Sequence, residues 1–333
     1  MASNLSTTGG FLHIGCMGMD DLDRAVHAVV HECLGVKGGE EALVICNPAT
    51  QQVGERLRAE AGEAGAEAVL TVISERPSHG AEPPRVVAEA MAAADVLMAP
   101  TVQSLSHTAA RKRATDAGAR CATLPGVTED MLARVMSADM EGLRRKGHGV
   151  AELLDRASEA RLTDDNGTDL RLDLSGRPAI PDAGDLTEPG AFGNLPCGEA
   201  FISPANGEGT LVIDGSLAGI GLVDHPVELV VEGGHLTSAR GGEGMAFMEL
   251  LTMHGEDGTN IAELGIGTNE KAILTGEILE DEKIQGTCHV AFGASAGIGG
   301  TVQVPVHLDC IVMKPTVELD GEAIVRDGEL LIR

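Results

Sequence analysis

The chain has no tryptophan, no tyrosine and only five phenylalanines among 333 residues. Aromatic rings therefore cannot dominate its core, which has to be assembled from Ala, Val, Leu, Ile and Met. Hydrophobic residues still make up 43% of the chain, enough for a sizeable interior. No apolar run is long enough to span a bilayer as a helix. The opening MASNLSTTGG lacks the basic start and apolar stretch of a secretion signal. Cys16, Cys33, Cys46, Cys121, Cys197, Cys288 and Cys310 form no Cys-x-x-Cys pair, and their number is odd. A disulfide framework or zinc ribbon is not indicated, and the expectation is a soluble cytoplasmic protein with buried thiols. Positive charge is scarce too: 24 basic against 51 acidic residues give a net charge of −27. Such a surface repels phosphate backbones and anionic lipid, so neither nucleic acid nor membrane is an expected partner.

A chain of this length suits two domains. In the first half short apolar runs alternate with helical patterns: EALVIC, TQQVGERLRAEAGEAG, AEAVLTVIS, PPRVVAEAMAAA, ADVLMAP, HTAARKRATDAG and ARCATLP. That rhythm predicts an α/β domain with a parallel sheet over residues 1–160. It has no G-x-G-x-x-G after its first strand and no G-x-x-x-x-G-K-[ST], so a nucleotide site is not indicated. His107 and the Gly-rich start could reach a site, but the expectation is a surface or capping role. From residue 161 the pattern changes to period two, with turns such as Asn166-Gly167. LTDDNGTDLRLDLSGRP, VELVVEGGHLTSARGG, TGEILEDEK and PTVELDGEAIVRDGELLI read as strands, and GEGMAFMELLTM as a helix. Residues 161–333 are thus expected to form a mainly β, α+β domain.

Four segments of this half carry ionisable residues where a buried strand or tight turn should be apolar. They are GNLPCGEAFISP with Glu199, NIAELGIGTNEKA with Glu263, GTCHVAFG with His289, and VPVHLDCIVMKP with His307 and Asp309. Burying so many ionisable groups is unfavourable unless something pairs them, and a divalent cation can do so. Side chains at i and i+2 of a strand share a face, so His307 and Asp309 converge. With His289 they could form a two-His, one-carboxylate set that leaves positions open for water or substrate. Glu199 and Glu263 add enough carboxylate for a second metal about 3.5–4 Å from the first.

The blocks NLPCGEAF, AELGIG, CHVAFG and HLD, in that order, resemble the metal-binding blocks of the aminopeptidase T family of metallopeptidases. The resemblance covers roughly the C-terminal half. It implies a dinuclear centre of Zn, Co or Mn held by Glu199, Glu263, His289, His307 and Asp309. A metal-activated water would cleave an amide or peptide bond, with Glu199 or Glu263 as the catalytic base. It also implies a small-molecule or short-peptide substrate and a homodimer. The sequence departs from that family in one respect: where a catalytic tyrosine should follow the third block it reads FGASAGIGG. The alternative is the 2,5-dihydroxypyridine dioxygenase group, which resembles an offshoot of the same fold and implies a single Fe(II) on His289, His307 and Asp309. His254 is then a spare histidine, able to replace His289 or to act as an acid or base. On these grounds the expected activity is that of an aminopeptidase-like hydrolase, with the ring-opening dioxygenase as the alternative.

Overall fold

A computed structural model of the protein describes residues 20–332; Cys16 and the Gly-rich start lie outside the described residues. A five-stranded parallel sheet forms the first layer, running Glu67–Val72, Glu41–Cys46, Val96–Ala99, Arg120–Thr123 and Phe192–Asn194 from edge to edge. The central strands are buried on both faces, which is why they read as continuous apolar runs. Ala42 and Val44 pack against Leu57, Met131 and Leu132 on one side. Leu43 and Ile45 pack against Val87, Met91 and Ala114 on the other. The last strand of this sheet, Phe192–Asn194, comes from beyond residue 160 and carries the chain back under the first layer.

The rest is a sandwich of two antiparallel sheets, one of eight strands and one of seven. Leu162, Leu172, Leu211 and Leu229 of the first meet Ile202, Leu264, Val290, Phe292 and Val312 of the second in one apolar core. The Asn166-Gly167 turn joins two antiparallel strands, Glu159–Thr163 and Asp169–Asp173, as its sequence predicts. In the seven-stranded sheet, alternation sends Cys288, Val290 and Phe292 into that core and His289 to the opposite face. Helix Met140–Arg156 bridges the two cores, with Leu143 in one and Val150 and Leu154 in the other. Gly147 lets it approach closely: a Cβ there would lie 3.1 Å from Ala183 Cβ. Among the described residues no helix is long and apolar enough to cross a membrane, and the six described cysteines are free and buried.

One element differs from its sequence pattern. TGEILEDEK is not a strand; Ile278–Asp281 is a short helix, and Glu280, Asp281 and Lys283 are fully buried. Backbone N–H groups make this possible. Asp281 accepts from the N–H groups of Thr275 and Gly276 at 2.7 and 2.9 Å and from Ser216 Oγ at 2.6 Å. Glu280 accepts from the Ile273 N–H at 2.8 Å and pairs with Arg134. A run of charges normally marks a solvated face, and only the fold of the neighbouring loop makes burial affordable here.

Phe292 is fully buried and meets Phe247 edge-on, with ring centroids 6.3 Å apart. Phe292→Ala is expected to lower the unfolding free energy in a denaturant titration by about 3–5 kcal/mol. A loss below about 1 kcal/mol would show that this ring is not part of a close-packed interface.

Candidate metal centre

Strands His307–Val312, Cys288–Gly293, Ile261–Gly267 and Glu199–Ile202 lie side by side in the seven-stranded sheet. Their register aligns the ionisable residues on the face turned away from the sandwich core. Gly293 pairs with His307 and Ala291 with Asp309, Gly265 pairs with His289, and Gly267 with Glu199. Each of these ionisable side chains thus faces a residue with little or no side chain, which leaves room above the sheet. At Gly265 the need is absolute, because a Cβ would sit 2.0 Å from His289 Nε2. The imidazole lies flat across that glycine.

All five residues singled out in the sequence meet on this face, in two sets. Glu263, His307 and Asp309 each bring a donor atom within 4.8 Å of the others, and so do Glu199, Glu282 and His289. His307 Nε2 is 3.4 Å from Glu263 Oε2 and 3.6 Å from Asp309 Oδ1. Its other nitrogen, Nδ1, lies 2.8 Å from the Ala294 carbonyl oxygen. That contact requires Nδ1 to carry the proton and leaves Nε2 as the atom that meets the carboxylates, the arrangement typical of a metal-ligating imidazole. His289 Nε2 links the two sets, 3.2 Å from Glu263 Oε1 and 3.1 Å from Glu199 Oε2.

Three residues that the sequence did not point to, Asp182, Glu282 and Lys283, complete the cluster. Lys283 is fully buried and its Nζ lies 2.5 Å from Glu199 Oε1 and 3.5 Å from Asp182 Oδ2, and it also bonds Glu282. Both Glu282 and Lys283 belong to the acidic run read as a strand. The available signal was its single lysine after several acids, which spacing alone does not distinguish from surface charge. His254 belongs to neither set; it sits half-buried in the turn after helix Gly242–Thr252. His107, by contrast, reaches the site from the loop before helix Ala109–Asp116, its ring centroid 6.5 Å from that of His307. Ser106 beside it is tied to Thr123 and Asn194 at 2.8 and 3.2 Å, at the carboxyl ends of two strands of the parallel sheet. The site therefore lies where the outer face of the sandwich meets the carboxyl ends of the parallel strands, a usual position for a ligand crevice.

The electrostatics favour a cation. Asp182, Glu199, Glu263, Glu282 and Asp309 are all buried, against Lys283, His289 and His307 as groups able to carry positive charge. Burial opposes ionisation of both rings, yet the carboxylates around them raise both well above the usual histidine value. Burial also opposes ionisation of Glu263, but hydrogen bonds from His289 and His307 hold it well below the usual carboxylate range. Away from the rings burial prevails: it pushes Asp182 up to about 7 and Glu282 up to about 8 against the attraction of Lys283. One ammonium cannot neutralise three carboxylates. Partial desolvation by its neighbours, with the nearby charge of His307 and Arg111, lowers the proton affinity of His107, whose ring is exposed. His289 Nδ1 is buried without a hydrogen-bond partner, and Glu199 Oε2 makes no well-aligned hydrogen bond despite lying 3.1 Å from His289 Nε2. Orphaned donor atoms, a shortage of positive charge and a glycine cradle all suit a divalent metal ion.

The family model described as "NicX: 2,5-dihydroxypyridine 5,6-dioxygenase" matches residues 24–332. The chain belongs to the NicX family. It is 25% identical over 224 residues to the 2,5-dihydroxypyridine 5,6-dioxygenase of Pseudomonas putida KT2440. That alignment covers 61% of this chain and 62% of the relative, so it spans less than two thirds of the relative's length. The solved structure of 2,5-dihydroxypyridine dioxygenase from the same strain superposes with a TM-score of 0.82, at 19% identity, over 95% of this chain and 99% of that one. Wild-type AmpT from Thermus thermophilus superposes with a TM-score of 0.69, also at 19% identity, over 94% and 99%. The shared fold with the aminopeptidase T group is thereby established, but the hydrolase expectation is corrected: the matching family model and the curated relative are both described as 2,5-dihydroxypyridine 5,6-dioxygenases, not as metallohydrolases. Glu199 and Glu263 had favoured the hydrolase. In the structure Glu199 is paired with a lysine, and Glu263 with two imidazoles.

Above about pH 6 these groups make stability depend on pH in one direction, because Glu263, whose lowered value acts with the opposite sign, is by then ionised in both states. His289 and His307 bind protons more tightly in the folded chain, so their stabilisation is complete below about 6.5 and is lost as pH rises through the raised values. Asp182 and Glu282 act with the same sign up to about 7 and about 8. Chelator-treated protein is expected to show a melting temperature that falls between pH 6 and pH 9. A flat or rising profile would contradict the proton-sharing cluster.

Proposed function

We propose that this protein is a mononuclear Fe(II)-dependent dioxygenase that opens a dihydroxylated nitrogen heteroaromatic ring of the 2,5-dihydroxypyridine type. The observation that carries this reading is the convergence of Glu263, His307 and Asp309 on one face of the sheet in a chain of the NicX family. Those three residues would hold the ion, as one imidazole and two carboxylates that leave positions open. Iron(II) in such a site supplies the redox capacity that lets dioxygen react with an electron-rich ring.

The chain's own residues do the rest. The Ala294 carbonyl fixes the tautomer and orientation of His307, so its donor nitrogen is set before any ligand arrives. His289 holds Glu263 Oε1 and keeps that carboxylate aimed along the sheet. Facing the ligand set, the exposed ring of His107 has its proton affinity lowered by partial desolvation and by the nearby charge of His307 and Arg111. A neutral imidazole near the ligand set can accept the proton of a ring hydroxyl as the substrate binds. Gly297 forms the wall beside it, where even a Cβ would stand 3.8 Å from His107 Nδ1. Phe201 pairs with Gly265 in the strand register, next to the imidazole of His289, and offers an apolar edge to the substrate ring.

Protein loaded with Fe(II) without oxygen, then mixed with 2,5-dihydroxypyridine in aerated buffer, is expected to consume one dioxygen per ring lost. His307→Ala and Asp309→Asn should abolish iron retention as well as turnover. His107→Gln should keep its iron but lose about 10²–10⁴-fold in rate. Iron-loaded protein that takes up no oxygen with any dihydroxypyridine would refute the reading. Full iron content in His307→Ala would refute the ligand assignment.

A further inference from the structure

The second donor set, Glu199, Glu282 and His289, lies directly beside the first and shares His289 Nε2 as the link to Glu263. Two neighbouring sets of this kind resemble a place for two metal ions. The structure puts a different cation into the second. Lys283 Nζ lies 2.5 Å from Glu199 Oε1 and 3.5 Å from Asp182 Oδ2, and it bonds Glu282 as well. This lysine is not a surface side chain folded inward. Its backbone N–H bonds the Glu280 carbonyl at 2.9 Å and its carbonyl accepts from the Asn269 N–H at 2.9 Å, so the chain is fixed on both sides. Gly267 provides the necessary clearance: a Cβ there would lie 2.0 Å from the Ile284 carbonyl oxygen. The side chain is fully buried, and three carboxylates surround its tip.

We propose that Lys283 is the resident cation of this second position and that it limits the centre to one metal ion. Its ammonium occupies Glu199 Oε1 and Glu282 Oε1 as acceptors, and it repels any further cation brought to the same set. Glu199 and Glu282 therefore act as anchors for Lys283 rather than as ligands. A single ion keeps open positions on one side, where a second ion would have shared a bridging carboxylate. The inference rests on the reading of Glu263, His307 and Asp309 as the metal set, and Lys283 is a positioning residue, touching neither metal nor substrate.

The test counts metal ions per chain. Metal-stripped protein is titrated with Co(II), followed by its absorption bands and by elemental analysis. A His27→Ala/His31→Ala background is used, because those partly exposed rings approach Glu60 at 2.8 and 2.9 Å and form another donor set. One equivalent is expected in that background, and two after Lys283→Met. Adding Glu282→Gln to Lys283→Met should return the count to one. A folded Lys283→Met protein that stays at one equivalent, or a chain with Lys283 intact that takes two, would overturn the proposal. If Lys283→Met does not fold, the intact chain still decides: one equivalent supports the proposal and two overturn it. No bound cobalt with Lys283 intact would instead sink the assignment of Glu263, His307 and Asp309, so the two failures are distinguishable.

Discussion

The structure depends on a balance of charge within a largely buried cluster. Five carboxylates, Asp182, Glu199, Glu263, Glu282 and Asp309, are buried on the outer face of one sheet, between the sandwich and the parallel sheet's carboxyl ends. Each would be strongly unfavourable if left alone. The fold meets this with one lysine, two histidines and protons retained on Asp182 and Glu282.

That balance explains several features that would otherwise be unrelated. Gly265 is a glycine because an imidazole must lie on it, whereas Gly267 and Gly293 make room for the backbone carbonyls of Ile284 and Val306. Helix Met140–Arg156 joins the two cores and closes over the strand that carries Glu199. Ser106, Thr123 and Asn194 form a buried hydroxyl and amide network beside the His107 loop. The apolar sandwich beneath supplies rigidity, so that donor atoms from four strands hold their places without a ligand to organise them.

The two families suggested by the metal-binding blocks share a fold, and their ligand positions overlap. A glutamate in a Gly-rich turn looks the same whether it binds a metal or an ammonium. What separated the hydrolase expectation from the dioxygenase family was not any of the five residues singled out. It was the match across residues 24–332. The missing tyrosine pointed the same way, since FGASAGIGG contains no phenol to act on a carbonyl.

The sequence by itself determined the alternation of strands and helices in the first half, the period-two sandwich strands of the second, and the identity of Glu199, Glu263, His289, His307 and Asp309 as residues out of place in apolar segments. These are local properties: side-chain period, turn chemistry and polarity are written in consecutive residues. Only the tertiary structure decided the grouping. Which carboxylate stands beside which imidazole depends on strand register and neighbour order, across separations of 26 and 84 residues for the His289–Glu263 and Lys283–Glu199 contacts. The burial of Glu280, Asp281 and Lys283 was equally illegible, because the N–H groups that satisfy the first two and the carboxylates that hold the third come from loops and strands brought together by the fold.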